Sequence, residues 1–383
     1  MFPSFFMAGF EGTTGFNSSN CWIDSVSRTR HDIHIGEDYA RIQELGISVA
    51  RECVRWPLLD REGSISTHLM QPTLDAARRH GVTLIHDLFH FGYPQDLNPL
   101  TPEFRKRFAE YCYRIARFVS RQTEGVCYFT PINEPSYFAW AAGEKGLFAP
   151  HLTASGPDLK VALVSAAIHG IEAIWAACPV ARIVNVDPYC RIVGSWKDTA
   201  AIDRCAEFNS TSVFEAWDMI AGRSLPELGG SARHLDIVGL NYYWSNQWEI
   251  DPLHENKTLH ESDPRRLGLA DIVRIVWNRY HAEILITETS HHDDFRTGWL
   301  MQLGSEIESL LSDHIPMRGV CWYPILEMPE WHDIDKWTRM GLWDLDHATD
   351  TLDRIPHDRA HQALRNIQTR LQKYFAKELI TCA

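Results

Sequence analysis

Short apolar runs alternate eight times with longer amphipathic segments along this chain of 383 residues. The strand-like runs are 5–10, 47–54, 82–89, 126–133, 181–187, 235–241, 283–288 and 318–323. Helical patterns lie between them at 34–46, 68–80, 102–121, 157–178, 264–281 and 295–313, with a last helix near 356–376. In the segment 102–121, Phe104, Phe108, Tyr111, Ile115 and Phe118 recur at three- and four-residue spacing. Arg105, Lys106, Arg107 and Arg114 fall on the other face, as an amphipathic helix requires. Short buried strands alternating with helices imply a parallel sheet covered by helices. Eight such units favour an α/β fold closed as a (β/α)8 TIM barrel. No Pro/Gly/Ser-rich linker or repeat divides the chain, so one domain over 1–383 is expected. The stretch 188–234 has the least legible pattern.

Composition narrows the function classes. Apolar residues make up 45% and charged residues 23% of the chain, which suits a soluble protein with a large core. The formal net charge of −13 argues against nucleic acid or an anionic membrane as partner, because phosphate selects basic surfaces. Nine cysteines, with no Cys-x-x-Cys spacing, read as reduced core thiols and not as a disulfide framework or zinc site. The N-terminus, Met1-Phe2-Pro3-Ser4-Phe5-Phe6-Met7, has no basic region and no long apolar stretch. Neither a signal peptide nor a membrane span is read there, and the expected location is cytoplasmic.

Two glutamates carry the chemistry. Glu134 lies in Phe129-Thr130-Pro131-Ile132-Asn133-Glu134-Pro135 and Glu288 in Ile284-Leu285-Ile286-Thr287-Glu288-Thr289. Each closes an apolar strand-like run and is followed at once by loop residues. In a barrel of this kind that is the mouth, where active sites are built. Two carboxylates facing one cleft suit cleavage of a glycosidic bond, one as acid and the other as nucleophile or base. The clusters His291-His292-Asp293-Asp294 and His332-Asp333 with Asp335 lack a third ligand at a recognisable spacing. They read as a polar rim, with no metal and no cofactor expected.

Six motifs in order give the chain a resemblance to glycoside hydrolase family 1, the β-glucosidase family. Asn133-Glu134-Pro135 resembles the family's acid/base motif, and Ile286-Thr287-Glu288 the start of its Ile-Thr-Glu-Asn-Gly nucleophile motif. Leu88-Phe89-His90-Phe91-Gly92-Tyr93-Pro94-Gln95, Gly239-Leu240-Asn241-Tyr242-Tyr243 and Ala50-Arg51-Glu52 through Trp56-Pro57 resemble its third-, sixth- and second-strand motifs. Glu330-Trp331 and Arg339-Met340-Gly341-Leu342 resemble its final strand and loop. The chain departs from the family at Thr289-Ser290, at Phe91 and over Trp322 to Trp331, which is one residue longer. No glutamine aligns with the family's N-terminal sugar ligand; Gly9-Phe10-Glu11-Gly12 stands there.

The resemblance implies an O-glycosyl hydrolase: a retaining, exo-acting β-glycosidase, foremost a β-glucosidase, acting on a small carbohydrate. Glu134 would be the acid/base and Glu288 the nucleophile. Arg51 and Tyr243 would support the nucleophile. His90, Asn133, Asn241 and Glu330 would take sugar hydroxyls, and Trp322 and Trp331 would offer flat apolar faces to the ring. The alternatives are a barrel that binds sugar without turnover, or a β-galactosidase, β-mannosidase or transglycosylase. Phospho-glycosidases are disfavoured, because Glu330 would repel a phosphate. The aglycone and oligomeric state carry no sequence signal.

Overall fold

The computed structural model describes residues 2–195, 198–250 and 256–375. Eight parallel strands close into a barrel: β1 Phe6–Gly9, β2 Val49–Cys53, β3 Thr83–Asp87, β4 Tyr128–Thr130, β5 Arg182–Pro188, β6 Ile237–Asn241, β7 Glu283–Thr289 and β8 Met317–Trp322. Each strand pairs with its neighbours in chain order, and β1 closes the ring against β8. All eight expected runs lie on these strands. The run 126–133 is trimmed to three residues of strand, which leaves Asn133 and Glu134 on the loop that follows β4.

The helices α1 His31–Glu44, α2 Gln71–His80, α3 Pro102–Ser120, α4 Gly156–Ala177, α5 Thr199–Ser210, α6 Glu215–Ile220, α7 Leu269–Tyr280, α8 Phe295–Ser312 and α9 Asp358–Phe375 follow the strands in turn. In α3, Pro102 presets the first turn and Glu103 complements the helix dipole there. Phe104, Phe108, Tyr111, Ile115 and Val119 are wholly buried on its inner face. Each large apolar side chain so removed from water contributes about 1.5–3 kcal/mol. The apolar α4 is long enough to span a bilayer, yet Leu159, Leu163, Val164, Ile171 and Ile174 bury its inner face in the helical layer. The predicted helix 264–281 begins later, at Leu269. Arg266 is instead held by the carbonyls of Leu259 and Trp244, and Gly268 caps the helix.

The barrel interior is filled by Met7, Val49, Ile85, Tyr128, Val184, Val186, Ile237, Leu285 and Cys321. This plug closes the bottom of the barrel and leaves polar side chains at the C-terminal strand ends. The illegible stretch 188–234 holds a strand, Arg191–Gly194, that leaves the barrel to pair with Gln247–Ile250, followed by α5 and α6. The described cysteines are all free thiols.

Candidate active site

Five strand ends bring seven polar side chains into contact. Arg51, on β2, is 1% exposed, and its Nη1 donates to Glu288 Oε1 at 2.5 Å. Its Nη2 donates to Asp87 Oδ2 at 2.6 Å and to Asn133 Oδ1 at 2.7 Å. Burial works against the guanidinium charge, but the carboxylates of Asp87 and Glu288 outweigh it and raise its proton affinity. Tyr243, just past β6, donates its hydroxyl to Glu288 Oε2 at 2.7 Å. Both carboxylate oxygens of Glu288 are therefore held, one by a cation and the other by a phenol.

Local backbone irregularity aims this residue. In the β6–β7 ladder Leu240 faces Ile286 but Asn241 faces Glu288, so Thr287 is an extra residue. Such a bulge bends a strand and redirects the side chains after it. The freed Thr287 hydroxyl donates to Asn241 Oδ1 at 2.6 Å, which fixes the Asn241 amide. Its Nδ2 then donates to Glu134 Oε1 at 2.8 Å.

Glu134 sits in the left-handed region, with φ 49°, between the short β4 and the helical turn Pro135–Phe138. That conformation costs a non-glycine residue of order 1 kcal/mol and is concentrated at functional positions. Burial raises its pKa well above the ordinary carboxylate value, and the nearby Glu288 charge raises it further. Asp187, on β5, is also pushed up by burial, to about 7. Asn133 Nδ2 is buried without a partner among the described residues, a donor left over for something else to accept from.

A second group lies against the first. His90 Nδ1 is 2.9 Å from Asp87 Oδ2, and its Nε2 is 3.3 Å from the Tyr323 hydroxyl. That hydroxyl donates to Glu11 Oε2 at 2.9 Å, while Glu11 Oε1 accepts from Trp331 Nε1 at 3.1 Å and from the Thr13 amide at 3.0 Å. Burial works against the His90 charge, yet Asp87 and Glu11 raise its pKa. Burial likewise opposes the Glu11 charge, and His90 and Thr13 lower its pKa regardless. Glu11, Asp87 and Tyr323 were not singled out in the sequence. Glu11 had a signal, since it stands in the segment Gly9-Phe10-Glu11-Gly12 that follows the first strand.

The structure thus brings together Glu134, Glu288, Arg51, Tyr243, Asn133 and Asn241, with His90 and Trp331 in the adjoining group. Trp322 is buried at the end of β8, with its indole Nε1 donating to the Met340 carbonyl. Glu330 lies apart from both groups. Its carboxylate is exposed and accepts from Thr338 Oγ1, and its amide pairs with the Lys336 carbonyl on a surface hairpin. Trp331, the next residue, turns inward to Glu11 while Glu330 stays on the rim.

His291 stacks on Trp244, and burial holds its imidazole down at about 4. Among the described residues no three His, Cys, Asp or Glu side chains are grouped to hold a metal.

No family model matches the chain. Among solved structures, it is similar to the family 1 β-glucosidase from Thermotoga maritima, with a TM-score of 0.76 over 96% of this chain and 97% of that one. In fold, the chain resembles a family 1 β-glucosidase. Complexes of the Thermotoga maritima β-glucosidase with glucoimidazole (TM-score 0.77, 17% identity) and with cyclophellitol (TM-score 0.76, 18% identity) match over 97% of this chain and 98% of theirs. At 17% identity the first of these likenesses, too, is one of fold.

Proposed function

We propose that this protein is a retaining, exo-acting β-glycosidase, foremost a β-glucosidase. The observation that carries the reading is the unequal treatment of two neighbouring glutamates. Glu288 has a cation on one oxygen and a phenolic donor on the other. Glu134 has one amide donor, and its burial favours the protonated form. Two neighbouring carboxyl groups in such different surroundings suit a nucleophile or base and an acid.

Glu288 attacks the anomeric carbon while Glu134 gives its proton to the departing glycosidic oxygen, leaving a glycosyl ester on Glu288. Glu134, now a carboxylate, removes a proton from water, which attacks the same carbon and releases the sugar with its β configuration retained. Arg51 and Tyr243 hold the Glu288 carboxylate in line and receive its charge again when the ester breaks. Asn133, through its unpartnered Nδ2, and His90 and Trp331 are the candidates for holding the sugar. The chemistry needs no cofactor. The free thiols support a reducing compartment such as the cytoplasm.

Purified protein assayed against nitrophenyl α- and β-glucosides, galactosides and mannosides tests the reading. Release from a β-glucoside above the others supports it. Hydrolysis of α-glycosides alone contradicts it, and saturable sugar binding without release assigns a binding protein.

A further inference from the structure

A second polar cavity lies on the outside of the barrel, away from the two glutamates. On a strand, successive side chains point to opposite faces. Arg51 and Asp87 face inward and bond to each other, so their sequence neighbours Glu52 and His86 face outward, side by side in the β2–β3 register. Both line a cavity of about 320 Å³ beneath the start of α1 and the start of α2. That volume is at the small end for ligand sites.

The floor of this cavity has spare hydrogen-bonding capacity. Glu52 is 6% exposed, and its Oε1 accepts from both His31 Nε2 (3.0 Å) and the Tyr39 hydroxyl (2.7 Å). Its Oε2 has no partner among the described residues. His86 is 3% exposed, and neither ring nitrogen meets a hydrogen-bond partner among the described residues; its ring touches Phe129. Burial lowers its pKa to about 4, so it is a neutral imidazole with one donor and one acceptor to offer. At the rim, Asp32 Oδ1 is likewise buried and unpartnered. Glu52 Oε2 and the His86 ring nitrogens are thus left for an occupant of the cavity to bond, and the buried Asp32 Oδ1 adds a further unused acceptor at its rim.

The charge around the cavity indicates which sign that occupant carries. His31, Arg55 and Arg354 stand against four carboxylates, Asp24, Asp32, Asp38 and Glu52. Arg41, which also reaches Asp38, is matched by Glu37. One negative charge remains over. The other walls are apolar, formed by Leu59, Met70 and Leu74.

We propose that this cavity is a ligand site for a small organic monocation, with its ammonium on Glu52 Oε2 beside the His86 ring and its apolar part along Leu59, Met70 and Leu74. The donors of an ammonium suit a carboxylate oxygen and the acceptor nitrogen of a neutral imidazole, and a single positive charge balances the excess. An anion would face Glu52 and Asp32 together.

Calorimetric titration of the full chain with n-butylammonium chloride tests this, with 1-butanol at matched ionic strength as the uncharged probe of the same shape. Saturable one-to-one binding of the ammonium but not the alcohol is expected. Glu52→Gln and His86→Phe should each weaken it at least about tenfold, as loss of a charge-assisted hydrogen bond does. Leu69→Trp, which fills the cavity from its rim without touching the charges, should abolish it, and this variant and His86→Phe decide the matter if Glu52→Gln does not fold. Absence of saturable binding by the wild type, equal binding of the alcohol, or affinity unchanged in His86→Phe and Leu69→Trp would each overturn the proposal.

Discussion

The indole Nε1 of Trp331 donates to Glu11 Oε1 at 3.1 Å, joining the first strand's loop to the loop after the last strand across the barrel mouth. The same carboxylate takes the Tyr323 hydroxyl, so one glutamate orients two aromatic rings. Removing it takes the acceptor from three donors, the Tyr323 hydroxyl, the Trp331 indole and the Thr13 amide, and a donor left unpaired away from water costs about 1–3 kcal/mol. Glu11→Ala is therefore expected to raise KM for a β-glucoside at least about tenfold, with a smaller change in kcat, because the lesion lies in sugar placement. Steady-state kinetics check this, and an unchanged KM would remove Glu11 and Trp331 from the binding surface.

The Asn241 amide donates to Glu134, and that bond acts to lower a pKa that burial and Glu288 raise. Without it Glu134 keeps its proton to still higher pH. In Asn241→Ala the alkaline limb of kcat/KM, which reports loss of the acid's proton, is expected to move upward. A limb that stays in place would mean another group sets it.

Much of this site was legible because barrel mouths place chemistry at strand ends, and strand ends are read from where apolar runs stop. Glu134, Glu288, Arg51 and Asn241 each sit where such a run ends or turns polar. Glu11 and Tyr323 were less legible. Tyr323 looks like any aromatic of an apolar strand, and its role comes from a hydroxyl that reaches Glu11 and His90. Glu330 and Trp331 are adjacent, and only the fold shows that Trp331 faces inward to Glu11 while Glu330 faces outward. The stretch 188–234 was opaque because its strand Arg191–Gly194 pairs outside the barrel, with a partner far along the chain.

Among the described residues the exposed Glu330 carboxylate accepts only from Thr338, and it can be lost at little cost. Glu330→Ala is expected to keep kcat/KM within about twofold of wild type on both glucoside and galactoside, where a sugar ligand would lose at least about tenfold. Parallel assays on the two substrates distinguish the outcomes.

His31 gives the fold a pH dependence of its own. Burial disfavours its charge, but Glu52 and Asp38 overcome this and raise its pKa from 6.5 to about 9. The protonated histidine therefore stabilises the folded chain fully below about 6.5, and this contribution is lost as pH rises through about 9. The difference corresponds to about 3 kcal/mol at most. Denaturant midpoints should fall between pH 6.5 and 9 in the wild type and fall less in His31→Gln. Parallel curves for the two proteins would contradict the assignment.

The central claim is that Glu288 forms a bond to the sugar, and chemical rescue of Glu288→Ala measures it directly. Removing the carboxylate leaves a space lined by Arg51 and Tyr243 that a small anion can enter from the same side. Turnover of a β-glucoside is expected to fall by more than about a hundredfold. Added azide should then restore release of the leaving group and yield an α-glucosyl azide, identified by its anomeric coupling constant. A mutant that retains more than about a tenth of wild-type activity would contradict the account, as would a rescued product of β configuration.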